Sequence, residues 1–304
     1  MVVTIKTRMR RQEVRSFITG MLFISPWILG FLAWTIYPIV ASLYYSFTQY
    51  NIIQPPRFIG VQNYIEMIAQ DQTFRIVLGN TIYLAVLGVP IGLAVAFLLA
   101  SLLNNEFKLR PLFRTIFFLP SIVPAVASAE VWRWVYNERY GLINSLLALM
   151  GLSTIPWLSS EALAKPSLII IGCWAQGSAM VIFLAALQDV PRSLYDAALV
   201  DGANWWRRFW HVTIPMCTPA ILFVMLTSMI GTFQYFTLGW LLTGGGPNQS
   251  TEFYSIYLYR NAFKFFKMGY ASALAWGLFI IAVVCTMVIL RSSARWVYYG
   301  GGEE

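Results

Sequence analysis

Charge is what this sequence has least of. Only 11% of its 304 residues are Asp, Glu, Lys or Arg, against about 25% in a soluble domain. That scarcity excludes an ordinary soluble domain and, with 58% hydrophobic residues, describes a polytopic membrane protein. Histidine is nearly absent. The single His211 argues against a catalytic triad and against a multi-histidine metal centre. The three cysteines, Cys173, Cys217 and Cys285, lie in or beside apolar runs at a spacing that matches no metal site, and read as core residues. A nucleotide-binding loop is missing as well. Gly244-Gly245-Gly246-Pro247-Asn248 is a turn-forming cluster without the Gly-Lys-Ser/Thr ending that cradles phosphates. The sequence therefore offers no catalytic residue, no metal ligand set and no cofactor site. The net charge of +8 does not point to nucleic acid, because the basic residues are scattered among short loops.

What the chain has in quantity is apolar runs. A membrane span needs about 20 such residues. Six stretches qualify, at 17–47, 76–103, 112–136, 167–188, 217–242 and 270–291. The first comes after Lys6, Arg8, Arg10, Arg11 and Arg15, is too long for a signal-peptide core, and is not closed by a small-residue cleavage site. It reads as a retained span that Pro26 and Pro38 kink. The expected fold is an all-α membrane protein of six transmembrane helices. Its limits are an N-terminal segment 1–16, a permease-like domain 17–291 and a tail 292–304. The third span holds Glu130 and Arg133 on one face, close enough to pair. Either they mark a functional site inside the membrane, or the helix end reaches an outer aromatic belt of Trp132, Trp134 and Tyr136.

Basic residues set the orientation. Segments 1–16, 104–114, 189–214 and 291–304 carry 13 Lys and Arg, whereas 49–75, 137–166 and 244–269 carry 7. The bias places both termini, and the loop after the fourth span, in the cytoplasm.

That loop, residues 189–215, reads DVPRSLYDAALVDGANWWRRFWHVTIP. Asp189 and Pro191 suit a helix start, residues 193–200 a short helix, and Asp201-Gly202 its stop. Asn204 suits the cap of a second short helix over 205–212. One reading is an amphipathic loop on the membrane surface, with Trp205, Trp206 and Trp210 at the interface and Arg207 and Arg208 on anionic headgroups.

The other reading comes from resemblance. Asp196-Ala197-Ala198, Gly202, Val212, Ile214 and Pro215 stand at the spacing of the E-A-A loop of permease subunits of bacterial ATP-binding-cassette importers, with Asp for Glu, Val for Ile and Ile for Leu. Tyr37-Pro38, Phe58-Ile59-Gly60, Phe117-Phe118-Leu119-Pro120, Ala186-Leu187-Gln188 and Leu242-Thr243-Gly244-Gly245-Gly246-Pro247 resemble the carbohydrate-importing branch in the same order along nearly the whole chain. The sequence looks like the shorter form of the first permease of a maltose-type or glycerol-phosphate-type importer. The resemblance implies type I importer permease architecture in the cell inner membrane, with a cytoplasmic coupling loop that docks in a groove of an ATPase. The coupling residues would be Asp196, Ala197, Ala198, Asp201, Gly202, Ala203, Val212, Ile214 and Pro215. It also implies four partners besides membrane lipid: a second homologous permease, two ATPase subunits that bind ATP and Mg, and an extracytoplasmic solute-binding protein.

A polar solute crossing the bilayer needs hydrogen-bonding groups along its path. Gln176 and Ser178 of span four offer them, as do Ser228, Gly231, Thr232, Gln234 and Tyr235 of span five. Ser228, Thr232 and Tyr235 are spaced four and three apart and so share a helical face. Small polar residues also serve plain helix packing. No Arg or Lys stands on these faces, which favours a neutral carbohydrate over glycerol phosphate. A secondary transporter would need an ionisable relay in mid-span, for which only Glu130 qualifies, and an internal repeat, of which there is none clear. A membrane enzyme lacks a catalytic centre.

The orientation is testable with single cysteines at Gln54, Ser160, Asn248 and Gly301 after removal of the native three. An impermeant thiol reagent should label the first three in intact cells and spare the fourth. Labelling of Gly301→Cys from outside would reverse the topology.

Overall fold

The computed structural model describes residues 2–298, so residue 301 and the end of the tail lie outside the described residues. The chain is helical almost throughout, with one two-stranded hairpin. Among the described residues, four helices are long and apolar enough to cross a membrane: Val14–Ser46, Gln72–Asn104, Trp205–Phe233 and Met268–Ser293. Two further pairs pass the same test but are bent. Arg110–Ile122 meets Ala125–Val135 at 103°, and Glu161–Trp174 meets Gly177–Gln188 at 50°. Counted as broken spans, they bring the total to six.

Helix limits obey capping and proline rather than hydropathy. The fifth helix begins at Trp205, well before the apolar stretch 217–242, and stops at Phe233; Leu242 belongs to a separate short helix, Thr237–Thr243. The third span breaks where the sequence reads as one helix. Pro124 lacks an N–H and pushes Val123 into an extended conformation, so the backbone leaves the helix there. Prolines inside unbroken helices are absorbed differently. π-helical turns at Leu32–Ile36, Leu84–Gly88 and Phe209–Thr213 each end two residues before a proline: Pro38, Pro90 and Pro215. A proline ring clashes with the carbonyl four residues back, and the widened turn gives it room.

The chain forms two compact units: residues up to Glu66 with Asn261–Trp276, and Met67–Arg260 with residues from Gly277 on. In the first, strands Thr48–Gln49 and Arg57–Phe58 pair antiparallel. Asn63 donates to the carbonyls of Ser46 (2.8 Å) and Thr48 (2.9 Å), and Trp276 donates to Ser42 Oγ at 3.2 Å. Gly269 lets the chain pass against the Thr48 carbonyl, where a Cβ has no room.

The second unit holds the main core. Ala96, Phe97, Ala100 and Leu103 of the second span pack on Met180, Phe183, Leu184 and Leu187 of the fourth, joined by Cys217 and Val224 of the fifth. Alanines four apart let these helices approach closely, and Phe97 meets Phe183 edge-on at 5.4 Å. Cys217 is buried, Cys173 and Cys285 are half-buried, and all three are free thiols. Just after its break, span four packs at Gly177 on the first arm of span three, where an added Cβ would lie 2.7 Å from the Phe117 carbonyl oxygen. Glu130 and Arg133 do pair, at 2.7 Å, on the protein surface. Arg133 also donates to the Leu241 carbonyl. Tyr136 turns inward instead of joining Trp134 outside: it is buried and donates to the Ser167 carbonyl at 3.2 Å.

Gly177→Val should force span four away from the helix carrying Phe117 at a cost of about 1–3 kcal/mol or more, as overpacked cores do. Gly172→Ala is the control, since its added Cβ meets nothing within 4 Å. Thermal unfolding of the purified protein in detergent should drop for the first and hold for the second.

Candidate functional site

Polar residues gather at three places in the second unit. The first is the loop after Gln188. Asp189 closes the preceding helix instead of opening the next, and Pro191 takes the N-cap of Arg192–Val200. Gly202 adopts a left-handed φ of +74°. Its N–H bonds the Leu199 carbonyl at 3.0 Å and that of Ala203 the Ala198 carbonyl at 2.9 Å. This pair of bonds is the Schellman closure, which satisfies the last carbonyls of a helix. Asn204 then caps the next helix, its Oδ1 accepting from the Arg207 N–H at 2.9 Å. That helix is not a second short one over 205–212. It is the start of the fifth span, because the π-turn at Phe209–Thr213 carries it on past Pro215.

The short helix is thus a projection held at two ends and by one strut. Tyr195 Oη meets Thr213 Oγ1 at 3.0 Å, tying the projection to the base of the fifth span. Sequence reasoning did not single out either residue; Tyr195 is the lone aromatic of that helix, and that was the available signal. No residue of the helix is buried. Asp196, Ala197, Asp201 and Gly202 are exposed, Ala198, Ala203, Val212, Ile214 and Pro215 half-exposed. Leu199 stands out, and Val200 is 89% exposed.

The second place is a cleft of about 220 Å³ where the second, fourth and fifth spans meet. It brings Gln176, Ser228, Gly231, Thr232 and Tyr235 together, walled by Leu84, Gly88, Val89, Leu168, Ile169 and Gly172. Two of the sequence candidates are not in its wall: Ser178 and Gln234 are exposed elsewhere. Tyr235 is in the wall with Ser228, Gly231 and Thr232. The α-helix ends at Phe233, and a tighter last turn, in which the Tyr235 N–H donates to the Thr232 carbonyl at 3.1 Å, carries Tyr235 on beside it. Thr232 Oγ1 donates to the Ser228 carbonyl at 2.8 Å, and Gln176 Nε2 to the Gly172 carbonyl at 3.2 Å. Gly92 makes room for Gln176, whose Nε2 a Cβ there would meet at 2.6 Å. The Tyr235 hydroxyl is buried and has no partner among the described residues. No charged residue lines the cleft.

A third group frames the loop after the fifth span. Asn80 donates to the carbonyls of Gln249 (2.7 Å) and Glu252 (3.0 Å) and accepts from Lys165 Nζ at 2.9 Å. Arg260 pairs with buried Glu252 at 2.9 Å and donates to the Gly244 carbonyl. Burial raises the Glu252 carboxyl pKa, and Arg260 opposes the rise. This clamp secures the turn, in which Gly244 (φ +58°) and Gly245 (φ +93°) take conformations that a Cβ disfavours. Among the described residues, no cluster of three or more His, Cys, Asp and Glu could hold a metal.

The exposed helix Arg192–Val200 and an open cleft with a few polar groups are the two features that the comparisons with known proteins bear on. Residues 88–299 match the family described as binding-protein-dependent transport system inner membrane component. Among curated proteins, the chain is 40% identical over 291 residues to the probable ABC transporter permease protein YesP of Bacillus subtilis (strain 168), covering 94% of each. It is 35% identical over 279 residues to the lactose transport system permease protein LacF of Rhizobium radiobacter, covering 89% of this chain and 92% of that one. Its fold matches a chain in the crystal structure of a bacterial alginate ABC transporter in complex with an alginate pentasaccharide-bound periplasmic protein, with a TM-score of 0.83 at 22% identity over 95% of this chain and 99% of that one. The chain belongs to the family of binding-protein-dependent transport system inner membrane components. It is a multi-pass permease subunit of an ATP-binding-cassette transporter, a transport component and not an enzyme.

Gly202→Val places a β-branched side chain at φ +74°, which costs about 1–2 kcal/mol or more in the left-handed region. Limited proteolysis should then cut near residues 189–204 faster, with the amount of inserted protein unchanged. Gly202→Ala should show the same effect in milder form.

Proposed function

We propose that this chain forms half of the translocation pathway of an ATP-driven, binding-protein-dependent importer of neutral carbohydrates. Its domains would be the N-terminal segment 1–16, the permease domain 17–291 and the tail 292–304, with both termini cytoplasmic. The observation that carries the proposal is the exposed, Schellman-closed helix Arg192–Val200, tied to the fifth span through Tyr195 and Thr213. Asp196, Ala197, Ala198, Asp201, Gly202 and Ala203 dock on an ATPase subunit as a helix in a groove, with Val212, Ile214 and Pro215 as the stem. The small alanines permit close approach. A second homologous permease completes the pathway, two ATPase subunits bind ATP and Mg, and an extracytoplasmic protein delivers the solute.

ATP shifts the equilibrium between inward-facing and outward-facing states by favouring one of them. Movement of the docked helix passes through the Tyr195–Thr213 strut to the fifth span, which carries Ser228, Gly231, Thr232 and Tyr235 in the cleft wall. The wall suits sugar. It offers hydroxyl and amide groups, an aromatic ring, and in Tyr235 a buried hydroxyl in need of a partner. Glycerol phosphate fits less well, since no Arg or Lys lines the cleft. Relatives named for lactose, for arabinooligosaccharides and for trehalose/maltose lend weight to a sugar. A secondary transporter is disfavoured because Glu130, its sole candidate relay, is exposed and paired with Arg133.

Two substitutions test the two halves of the proposal in the purified, reconstituted complex. Ala198→Trp should lose bound ATPase or sugar-stimulated ATP hydrolysis while inserting normally. Tyr235→Ala should keep assembly and basal hydrolysis but lose uptake worth about 1–3 kcal/mol, for one hydrogen bond and one aromatic contact. Full coupling in Ala198→Trp removes the docking role, and wild-type uptake by Tyr235→Ala moves that ring from the pathway into packing.

A further inference from the structure

The aromatic and basic stretch after Asn204 takes no part in docking or in the cleft. It lines a separate groove of about 520 Å³, at the end of the second span and the start of the fifth. One wall is apolar, with Leu98, Leu102 and Leu187. The opposite wall carries Trp205, Trp206 and Trp210, which are 64%, 57% and 49% exposed. These indoles are not floppy. Phe209 packs edge-on against core Phe97 at 6.0 Å, Trp205 stacks on Phe209 at 5.6 Å, and Trp206 meets Trp210 edge-on at 5.7 Å. Asn104, Asn105, Ser101 and Arg208 supply the polar part, and among the described residues no carboxylate lines the groove. Two of these polar groups lack partners. Arg208 Nε and Ser101 Oγ are buried and make no hydrogen bond among the described residues. The Arg208 guanidinium also has no ion pair there.

We propose that this groove binds an anionic phospholipid of the inner leaflet, its phosphate on Arg208 and its acyl chain along Leu98, Leu102 and Leu187. The proposal rests on the orientation above, which puts the groove at the cytoplasmic membrane face. Three features converge on a lipid. A cation without a counter-ion in a half-buried site calls for an anion. The unpartnered Ser101 hydroxyl and the Asn104 amide add donors that a phosphate accepts from. An apolar wall beside rigid indoles at the end of two spans fits the headgroup boundary, where tryptophan concentrates. A free phosphate would leave that wall and the indoles unexplained.

The groove opens beside Tyr195 and Thr213, which both line it. A lipid seated there touches the strut between the docking helix and the fifth span, so anionic lipid should also raise coupling.

The test uses the complete transporter, delipidated in detergent and returned to nanodiscs of phosphatidylcholine mixed with phosphatidylglycerol. Lipid retained by the permease is then counted by native mass spectrometry. Wild type should prefer phosphatidylglycerol about fivefold, the scale of one basic residue at a charged surface. Arg208→Gln should lose that preference and Arg208→Lys keep most of it, while Arg207→Gln, outside the groove wall, should keep it too. Equal retention of the two lipids by wild type overturns the proposal without any variant, and so does an unchanged preference in Arg208→Gln. Inorganic phosphate in excess should not displace the lipid; displacement would make this a small-anion site and end the lipid assignment. The counts need neither ATP nor sugar, so they stand apart from failure of the importer reading. That failure would show as uncoupled hydrolysis or reversed thiol labelling.

Discussion

Backbone hydrogen bonding in a solvent that offers no partners is the constraint on which this structure depends. A peptide group exposed to hydrocarbon costs several kcal/mol, so a span must be helical, and any departure from helix must be enclosed by protein. The chain departs from regular helix repeatedly, and each departure has its remedy. Pro38, Pro90 and Pro215 are preceded by π-turns that keep the helix going. At Pro124 and at Trp174–Gly177 the helix breaks outright, and Gly177 of the second break packs on Phe117 and Phe118 in the first arm of span three. At Phe233 the fifth helix ends inside the chain's apolar region, and a tightened last turn places Tyr235 in the cleft wall.

These departures are where polar chemistry becomes available in an otherwise apolar protein. Gln176 sits in the break of the fourth span, and Tyr235 in the turn after the fifth. Both reach one small space with Ser228, Gly231 and Thr232, and that space carries no net charge. The same principle operates at the loop between these spans. There the helix Arg192–Val200 ends in full hydrogen-bond closure at Gly202 and needs no further support from the chain. A structure closed in this way can present an entirely unburied face. The Tyr195–Thr213 bond gives that face a rigid link to the helix lining the cleft.

Aromatic residues do two jobs. Phe97, Phe183 and Phe209 form a T-shaped cluster that locks the second, fourth and fifth spans together. From that cluster Phe209 holds Trp205 in place, and Trp206 and Trp210 flank it. Arg208, set among these rings, is left facing a groove rather than a partner carboxylate.

The sequence alone determined the class, the approximate spans and the motif at Asp196-Ala197-Ala198 and Gly202. Hydropathy, positive charge bias and residue spacing are local properties, and they survive without a fold. The left-handed Gly202 and the Asn204 cap were legible for the same reason: both are decided within a few residues. Only tertiary structure decided the rest. Composition cannot register a 103° bend at Pro124, because the two arms together pass as one apolar span. Periodicity grouped Tyr235 with Ser228 and Thr232, and all three line one cleft, but the second and fourth spans that complete its wall come together only in the fold. Ser178 and Gln234 carry suitable groups but point elsewhere, since side-chain direction depends on where each helix ends. The strut between Tyr195 and Thr213 and the unpaired Arg208 are long-range facts, made by elements that fold against one another, and no spacing along the chain encodes them.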